Sequence, residues 1–291
     1  EDFLEVLRKS MSKISIITTM TDPKSRKDPW EEALTCYNDL ADEVIITGEN
    51  WPKEFSWKHI GETFQEGLDK ANGEWVLRMD LDYFFHERDI KNIKKMLNKY
   101  TNYPIVSFPQ LQFFKPTRYS LRALLSVAIN KKFFPEIKLN GGGDLCLPTL
   151  ENVLLDPFKN PISKYPIYQY DSFFRDKTTI SKDRARFARA WFREFGNYQD
   201  RGGPDDYDAY IAWENMIQSK TVEHFYSFNI KNHPKYIKDK IINLSHEDFG
   251  YNAFDINYLN PDFKTFYMEL KKRTKIFNRR KIFEAKNLWK I

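Results

Sequence analysis

The stretch Glu74-Trp75-Val76-Leu77-Arg78-Met79-Asp80-Leu81-Asp82 decides the fold of this chain. It is a largely apolar run of strand length that ends in two aspartates separated by one residue. Because side chains two residues apart on an extended strand point to the same side, Asp80 and Asp82 can converge on one ligand. Two carboxylates beside an apolar strand repel each other and resist desolvation. A divalent metal together with a phosphorylated ligand is the natural compensation.

Alternating segments precede this strand. Residues 13–20 and 43–47 are predicted strands, and residues 30–41 and 58–71 are predicted helices, the second of which stops at Asn72-Gly73. Strands that alternate with helices imply parallel β-α-β units, whose ligands bind at the carboxyl ends of the strands. The motif on the third strand therefore lies at the edge where a ligand is expected.

The alternation weakens in the second half of the chain. A plain loop is expected at 200–206, and no linker separates the two halves, so one domain with an elaborated second half is predicted. The predicted helices are 87–100, 118–131 and 181–195, and the predicted strands are 104–114, 166–170 and 240–246.

Composition limits the classes of protein that fit. The 291 residues are 41% apolar and 30% charged, which is typical of a globular protein. Cys36 and Cys146 lack metal-site spacing and favour a reducing compartment. No apolar run approaches the roughly 20 residues that span a bilayer, and the charged start at 1–13 is unlike a signal peptide, so the cytoplasm is the expected location. A net charge of +5 does not by itself predict a nucleic-acid partner.

The C-terminal segment 264–291 is basic and interleaved with aromatic residues. Its pattern predicts an amphipathic helix with two interpretations. The helix lies on an anionic membrane surface as a peripheral contact, or it packs on the domain with a solvated outer face.

The first hundred residues resemble a nucleotide-sugar glycosyltransferase of the GT-A fold, close to family 2. The resemblance is carried by four segments: Ile-Ser-Ile-Ile-Thr-Thr at 14–19, Glu-Val-Ile-Ile-Thr at 43–47, Gly-Leu-Asp-Lys-Ala-Asn-Gly at 67–73, and Asp80-Leu81-Asp82. It implies a Rossmann-like α/β fold whose mostly parallel central sheet is flanked by helices. Residues 13–115 would then bind the nucleotide sugar, and 116–263 would form the acceptor half.

The resemblance implies transfer of a sugar, expected to be a hexose, from UDP-sugar or GDP-sugar to a hydroxyl of a glycan, lipid-linked glycan or glycoprotein. The leaving nucleoside diphosphate needs charge stabilisation, which a carboxylate-bound Mn or Mg ion supplies. By analogy, Asp82 is the direct metal ligand, and Asp80 contacts the ribose, or the metal through water. His246, after a predicted late strand, is either a third metal ligand or a histidine hydrogen-bonded at a strand end.

Further roles are implied for single residues. Asp144, after three glycines, is the first choice for the base that deprotonates the acceptor, and the alternatives are Asp171, Asp205, Glu247 and Asp248. The Glu-Asp pair typical of the family is not recognisable, which leaves inversion or retention open. Trp51 stacks on the donor or covers the core. The residues expected to bind the donor nucleotide are Thr18, Thr19, Met20, Glu49, Trp51, His59, Arg78 and Asp80.

Other interpretations remain. The seven basic residues between Arg175 and Arg193 hold a second phosphate or an acidic acceptor, or they form a solvated helix face. A haloacid-dehalogenase-like phosphohydrolase also uses two aspartates after a strand, but on its first strand. A non-catalytic carbohydrate-binding relative is the third alternative. Nucleic acid is disfavoured as a partner because Asp80 and Asp82 would repel phosphates without a metal.

Overall fold

The computed structural model describes residues 12–49, 51–140, 146–170, 172–220, 226–244 and 263–286. The chain forms an α/β structure around one mixed sheet. The strands of this sheet are β1 (Ile14–Thr19), β2 (Glu43–Thr47), β3 (Trp75–Arg78), β4 (Tyr83–Phe84), β5 (Ile105–Lys115), β6 (Arg118–Asn130), β10 (Ile167–Gln169) and β11 (Tyr226–Ser227). A separate three-stranded sheet contains β7 (Lys138–Asn140), β8 (Leu147–Leu150) and β9 (Val153–Leu154). The helices are α1 (Trp30–Leu40), α2 (Trp57–Lys70), α3 (Ile90–Lys99), α4 (Lys177–Phe195), α5 (Asp206–Lys220), α6 (Lys235–Ile242) and α7 (Phe263–Lys286).

The central sheet is mostly parallel. Its order is β2-β1-β3-β6-β5-β10-β4, and β11 pairs with β6. β1 is parallel to β2 and β3, β10 is parallel to β5, and β6 is antiparallel to both β3 and β5. Strands β2, β1, β3, β5 and β10 therefore run in one direction, as predicted. The carboxyl ends of β1, β3 and β10 consequently meet at one edge.

Helices cover both faces of the sheet. Ile14 and Ile16 of β1 pack in the cluster that contains residues of α1, α3 and α6, whereas Ile17 packs against α2. This alternation is the period-two pattern of a strand buried on both sides. A Cβ added at Gly73 would lie 2.5 Å from the backbone nitrogen of Ser15, so the turn after α2 requires glycine to approach β1.

Most predicted elements of the first half are confirmed. The first three strands and first two helices match within about two residues, and 87–100 contains a 3₁₀ turn followed by α3. In the second half, the strands at 104–114 and 166–170 and the helix at 181–195 are found as β5, β10 and α4. The basic C-terminal segment contains α7.

Three predictions are wrong. Residues 118–131 form strand β6 rather than a helix, because hydrogen bonds to β3 and β5 on both sides override the helix-forming leucines and alanines. Lys240 to Ile242 end helix α6 instead of starting a strand. The loop at 200–206 is not plain, since it contains part of the 3₁₀ turn Gln199–Arg201 and the start of α5. Within the described residues, no helix combines the length and hydropathy needed to cross a bilayer.

Candidate active site

A cavity of about 480 Å³ opens at the carboxyl edge of the central sheet. Its volume is in the range of small-molecule sites, roughly 300–1,000 Å³. A larger depression of about 680 Å³ lies on the outer face of α2 beside β7, and no residue of the central sheet lines it. The first cavity is therefore the candidate site. Its lining includes Thr19, Asp80, Asp82 and Gln169 from strand ends, Trp51, Phe55 and Trp57 from the segment after β2, and Asp183, Arg184, Arg186, Phe187 and Trp191 from α4.

The two aspartates of the motif both line this cavity. Arg78, which is 3% exposed, donates from Nη2 to Oδ2 of Asp80 at 3.2 Å. The hydroxyl of Tyr37 donates to the backbone carbonyl of Asp80 at 2.5 Å. The motif leads into the short strand β4 instead of a helix, so the aspartates do not cap a helix. The turn after β3 thus presents both carboxylates to the cavity.

Buried amides support the second carboxylate. Nε2 of Gln169 donates to Oδ2 of Asp82 at 3.2 Å. Oε1 of Gln169 accepts from Nε2 of Gln110 at 2.5 Å and from Nη1 of Arg122 at 3.4 Å. This network fixes which end of the Gln169 amide faces Asp82, because both Gln110 and Arg122 present donors to its oxygen.

Part of the cavity lining consists of guanidinium groups over aromatic rings. We call Arg184, Arg186 and Arg201, together with Trp191 and Trp213, the arginine wall. Cζ of Arg201 lies 3.5 Å from the ring centroid of Trp191, and Cζ of Arg184 lies 5.4 Å from that of Trp213. Arg186 donates to the carbonyl of Pro52 at 3.1 Å. Arg184 and Arg186, two of the seven basic residues of the predicted cluster, line this cavity.

Four charged side chains that also line the cavity form an ion-pair network. Arg26 and Arg175 each pair with both Asp28 and Asp183, at distances of 2.5 to 3.0 Å. Burial alone raises the pKa of Asp183, but the guanidiniums of Arg26, Arg175 and neighbouring arginines outweigh it and lower the pKa to about 2. Asp183 is therefore ionised at neutral pH and is a weak base.

The Asp80 and Asp82 pair fits a hard divalent cation. Among the described residues, no group of three or more histidine, cysteine, aspartate or glutamate side chains could hold a metal. Two carboxylates nevertheless suit Mg, which keeps several waters and takes further oxygen ligands from substrate phosphates. Mn accepts the same oxygen donors. Water and phosphate oxygens would complete the coordination.

The structure brings only some of the predicted donor-binding residues into the cavity. Thr19 and Trp51 line it together with the two aspartates. Thr18 is fully buried, and no described group hydrogen-bonds its hydroxyl. Met20 packs against the core, and Glu49 is exposed.

Among the remaining predicted site residues, His59 contacts Trp51, and two others lie outside the described part of the chain. His59 lies in the first turn of α2, with its ring centroid 4.8 Å from that of Trp51. Trp51 also packs edge-on against Phe55 at 5.6 Å. Asp144 and His246, the predicted base and third metal ligand, lie outside the described residues.

Sequence reasoning missed several cavity residues. Gln169 lies near the end of the predicted strand 166–170, and a polar residue at the carboxyl end of a buried strand was a usable signal. Arg122 was hidden by the wrong helix prediction for 118–131. Asp28 and Trp213 come from segments with no motif, and only the folded chain places them beside α4.

Comparisons with known proteins do not assign this chain to a family. No family model matches the chain, and no curated protein matches it. Among solved structures, 29 chains match. One is a crystal structure of Staphylococcus aureus TarS 1–349, a family 2 glycosyltransferase, with 12% identity and a TM-score of 0.36. The match covers 73% of this chain and 81% of that one, and at this TM-score it carries no argument about the site.

Proposed function

We propose that this chain is a metal-dependent glycosyltransferase of the GT-A fold that transfers a hexose from a nucleoside-diphosphate sugar to a hydroxyl acceptor. The observation that carries the proposal is the pair of carboxylates, Asp80 and Asp82, at the end of β3 inside a ligand-sized cavity. Ligands of open, mostly parallel sheets bind at this edge.

The charges around this pair suit a metal-bound diphosphate. A divalent cation held by Asp80 and Asp82 would balance their two charges and, as a Lewis acid, stabilise charge on the leaving diphosphate. Arg78 donates to Asp80, and Arg122 donates to Gln169, the residue that holds Asp82. Both guanidinium groups add positive charge for the diphosphate. Trp51 offers an aromatic surface for the nucleoside.

The acceptor hydroxyl needs a base, and the described aspartate on α4 does not suit the role. Asp183 has a pKa of about 2 and is committed to Arg26 and Arg175, so it is too weak to take a proton near neutral pH. Asp144 therefore remains the proposed base, and His246 the proposed third metal ligand.

Calorimetric titration of UDP and GDP, with Mn²⁺ and with EDTA, tests the proposal. We expect one nucleotide to bind tightly only with the metal. Asp82→Asn should abolish that binding, whereas Asp69→Asn, on the exposed side of α2, should leave it unchanged. Absence of nucleotide binding under both conditions would contradict the proposal.

The two alternatives give different results with the same protein. A carbohydrate-binding relative would bind nucleotide or sugar without hydrolysing or transferring the donor. A phosphohydrolase would release phosphate from p-nitrophenyl phosphate in Mg²⁺ and lose this activity in Asp80→Asn, because that aspartate would be its nucleophile.

A further inference from the structure

Two donors on the arginine wall lack hydrogen-bond acceptors. The Nε–H of Arg186 and the indole N–H of Trp191 are buried, and neither has a partner among the described residues. Both residues belong to α4 and line the cavity. Buried donors without acceptors are costly, and each one calls for an explanation such as an ordered water, an ion or a ligand. Both groups can only donate, so an oxygen-rich acceptor of hydrogen bonds is the matching chemistry.

The charges near the wall favour an anionic ligand. Asp28 and Asp183 are balanced by Arg26 and Arg175 in the ion-pair network, and Asp200 pairs with Arg201 at 2.8 Å. Among the described residues, Arg186 has no carboxylate partner within salt-bridge distance. Its side chain contacts the Pro52 carbonyl and the ring of Phe55, 4.9 Å from Cζ. Burial lowers the pKa of this guanidinium, which means that its charge is only partly compensated.

The wall and the aspartate pair come from different parts of the chain. The aspartate pair lies in the turn after β3, where Arg78 donates to Asp80 and Arg122 donates to Gln169. The wall comes from α4, the 3₁₀ turn Gln199–Arg201 and α5, all in the second half of the chain. One cavity therefore combines a carboxylate part, contributed by the first half of the chain, with a guanidinium part, contributed by the second half.

We propose that the arginine wall is the acceptor subsite and that the acceptor carries a phosphate group, which Arg186 and Arg201 hold. This inference rests on the proposed function for its acceptor assignment. A planar guanidinium can donate two parallel hydrogen bonds to phosphate, which a neutral sugar hydroxyl cannot match in strength. Phosphate is favoured over a single carboxylate because several guanidiniums converge on the same wall.

Calorimetry of the full chain with glycerol phosphate, glycerate and glycerol tests the proposal. We expect glycerol phosphate to bind in EDTA more tightly than glycerate, and glycerol not to bind. Binding should persist when the protein is saturated with UDP and Mg²⁺. Arg186→Gln should weaken glycerol phosphate binding about tenfold. Arg186→Lys should weaken it less, because lysine keeps the positive charge although it cannot donate two parallel hydrogen bonds.

The matched control is Arg189→Gln, one turn along the same helix. Arg189 pairs with Glu54 at 2.6 Å and does not line the cavity, so its loss should not change phosphate binding. Asp82→Asn should also keep phosphate binding while it loses metal-dependent UDP binding. Thermal unfolding checks that each variant is folded, and Arg201→Gln replaces Arg186→Gln if the latter is not.

Three results would overturn the proposal. Competition between UDP with Mg²⁺ and glycerol phosphate would assign the wall to the donor diphosphate. If Arg186→Gln and Arg189→Gln lose the same amount of affinity for glycerol phosphate, the effect is a general one of positive charge. Tighter binding of glycerate than of glycerol phosphate would exclude phosphate as the preferred group. If glycerol phosphate binds but UDP does not, the proposed function fails together with the acceptor assignment, and only an anion site remains.

Discussion

Two consecutive residues at the end of β10, Gln169 and Tyr170, hold Asp82 through hydrogen bonds. The side-chain amide of Gln169 donates to its carboxylate at 3.2 Å, and the backbone N–H of Tyr170 donates to its carbonyl at 3.1 Å. β10 and β3 are not neighbours in the sheet, since β6 and β5 lie between them. These two bonds therefore fix the aspartate across the carboxyl edge and orient its side chain before any ligand binds.

The first prediction concerns this support. Gln169→Met keeps the volume of the side chain but removes the donor to Asp82 and the acceptor of Gln110. Groups that orient a metal ligand typically contribute 10- to 100-fold to metal affinity, so we expect Mn²⁺-dependent nucleotide binding to weaken by about tenfold or more. We also expect the free energy of unfolding to fall by about 1–3 kcal/mol, because the Gln110 amide is left buried without its acceptor.

Gln110→Met is the control for this effect. It removes a bond to Gln169 but leaves the bond from Gln169 to Asp82, so nucleotide affinity should fall by less than in Gln169→Met. Titration calorimetry and urea unfolding measure the two quantities separately. Unchanged affinity in a folded Gln169→Met variant would show that the amide does not position the aspartate.

The carboxylate part of the site could be predicted from the sequence because its signal is local. An apolar strand ends just before Asp80 and Asp82, and the preceding β-α-β alternation fixes the edge on which they lie. The guanidinium part could not be predicted in this way. Arg186 and Arg201 meet around the cavity only because α4 and the following turn fold back over the sheet edge.

Strand β6 shows why the second half was harder to interpret. Its leucines and alanines have the spacing of a helix, yet Leu121, Leu125 and Ile129 are buried in a strand paired on both sides. A central strand that is buried on both faces has a nearly continuous apolar sequence, which periodicity alone does not separate from a helix. Pairing with β3 and β5 decides the outcome, and this information is not local.

The second prediction is that Asp183 makes stability depend on pH below about 4. Its pKa of about 2 in the folded state lies below the unfolded value near 3.9. The stabilisation is therefore complete above pH 4 and is lost as the pH falls towards 2, by about 2 kcal/mol. Asp183→Asn should be less stable than the wild type at pH 6, and urea unfolding should show the difference narrowing towards pH 2. If the difference in the free energy of unfolding between the two proteins stays constant with pH, ionised Asp183 does not stabilise the fold through its ion pairs.

The third prediction concerns His233, which is 1% exposed. Its Nε2–H donates to the Pro116 carbonyl at 2.8 Å, so Nδ1 is the atom that accepts from the Tyr170 hydroxyl, also at 2.8 Å. Burial lowers the pKa of His233 to about 4, against about 6.5 in the unfolded chain. The folded state therefore binds fewer protons than the unfolded state between these values, and its stability falls by up to about 3 kcal/mol as the pH decreases from 6.5 to 4.

Denaturant unfolding at pH 7 and pH 4.5 measures this effect. His233→Gln should be less stable than the wild type at pH 7, and the difference should narrow at pH 4.5, since glutamine does not titrate. The control is His59→Gln, in the partly exposed first turn of α2. Its free energy of unfolding should change between pH 7 and pH 4.5 by the same amount as that of the wild type. If the stability difference from the wild type narrows equally in both variants, the pH dependence does not come from His233.

The fourth prediction concerns the outer face of α7. The inner face packs on the domain, with Ile276 and Phe283 buried and Arg273 lying 3.4 Å from the ring centroid of Tyr226. The outer face nevertheless exposes large apolar side chains, including Phe266 and Phe277, the latter 50% exposed. Lysines and arginines flank them, and an anionic bilayer is the partner that matches both the apolar surface and the positive charge.

Sedimentation with lipid vesicles tests this contact. The wild type should bind phosphatidylserine-containing vesicles more than phosphatidylcholine vesicles, and added salt should weaken the binding because it screens the lysines and arginines. The double variant Phe266→Ser with Phe277→Ser should bind about tenfold less, because burial of each aromatic ring in the interface is lost. Phe133→Ser, at a side chain that is 55% exposed after β6, should bind like the wild type. Equal binding of the double variant would mean that α7 only packs on the domain and that its outer face is solvated.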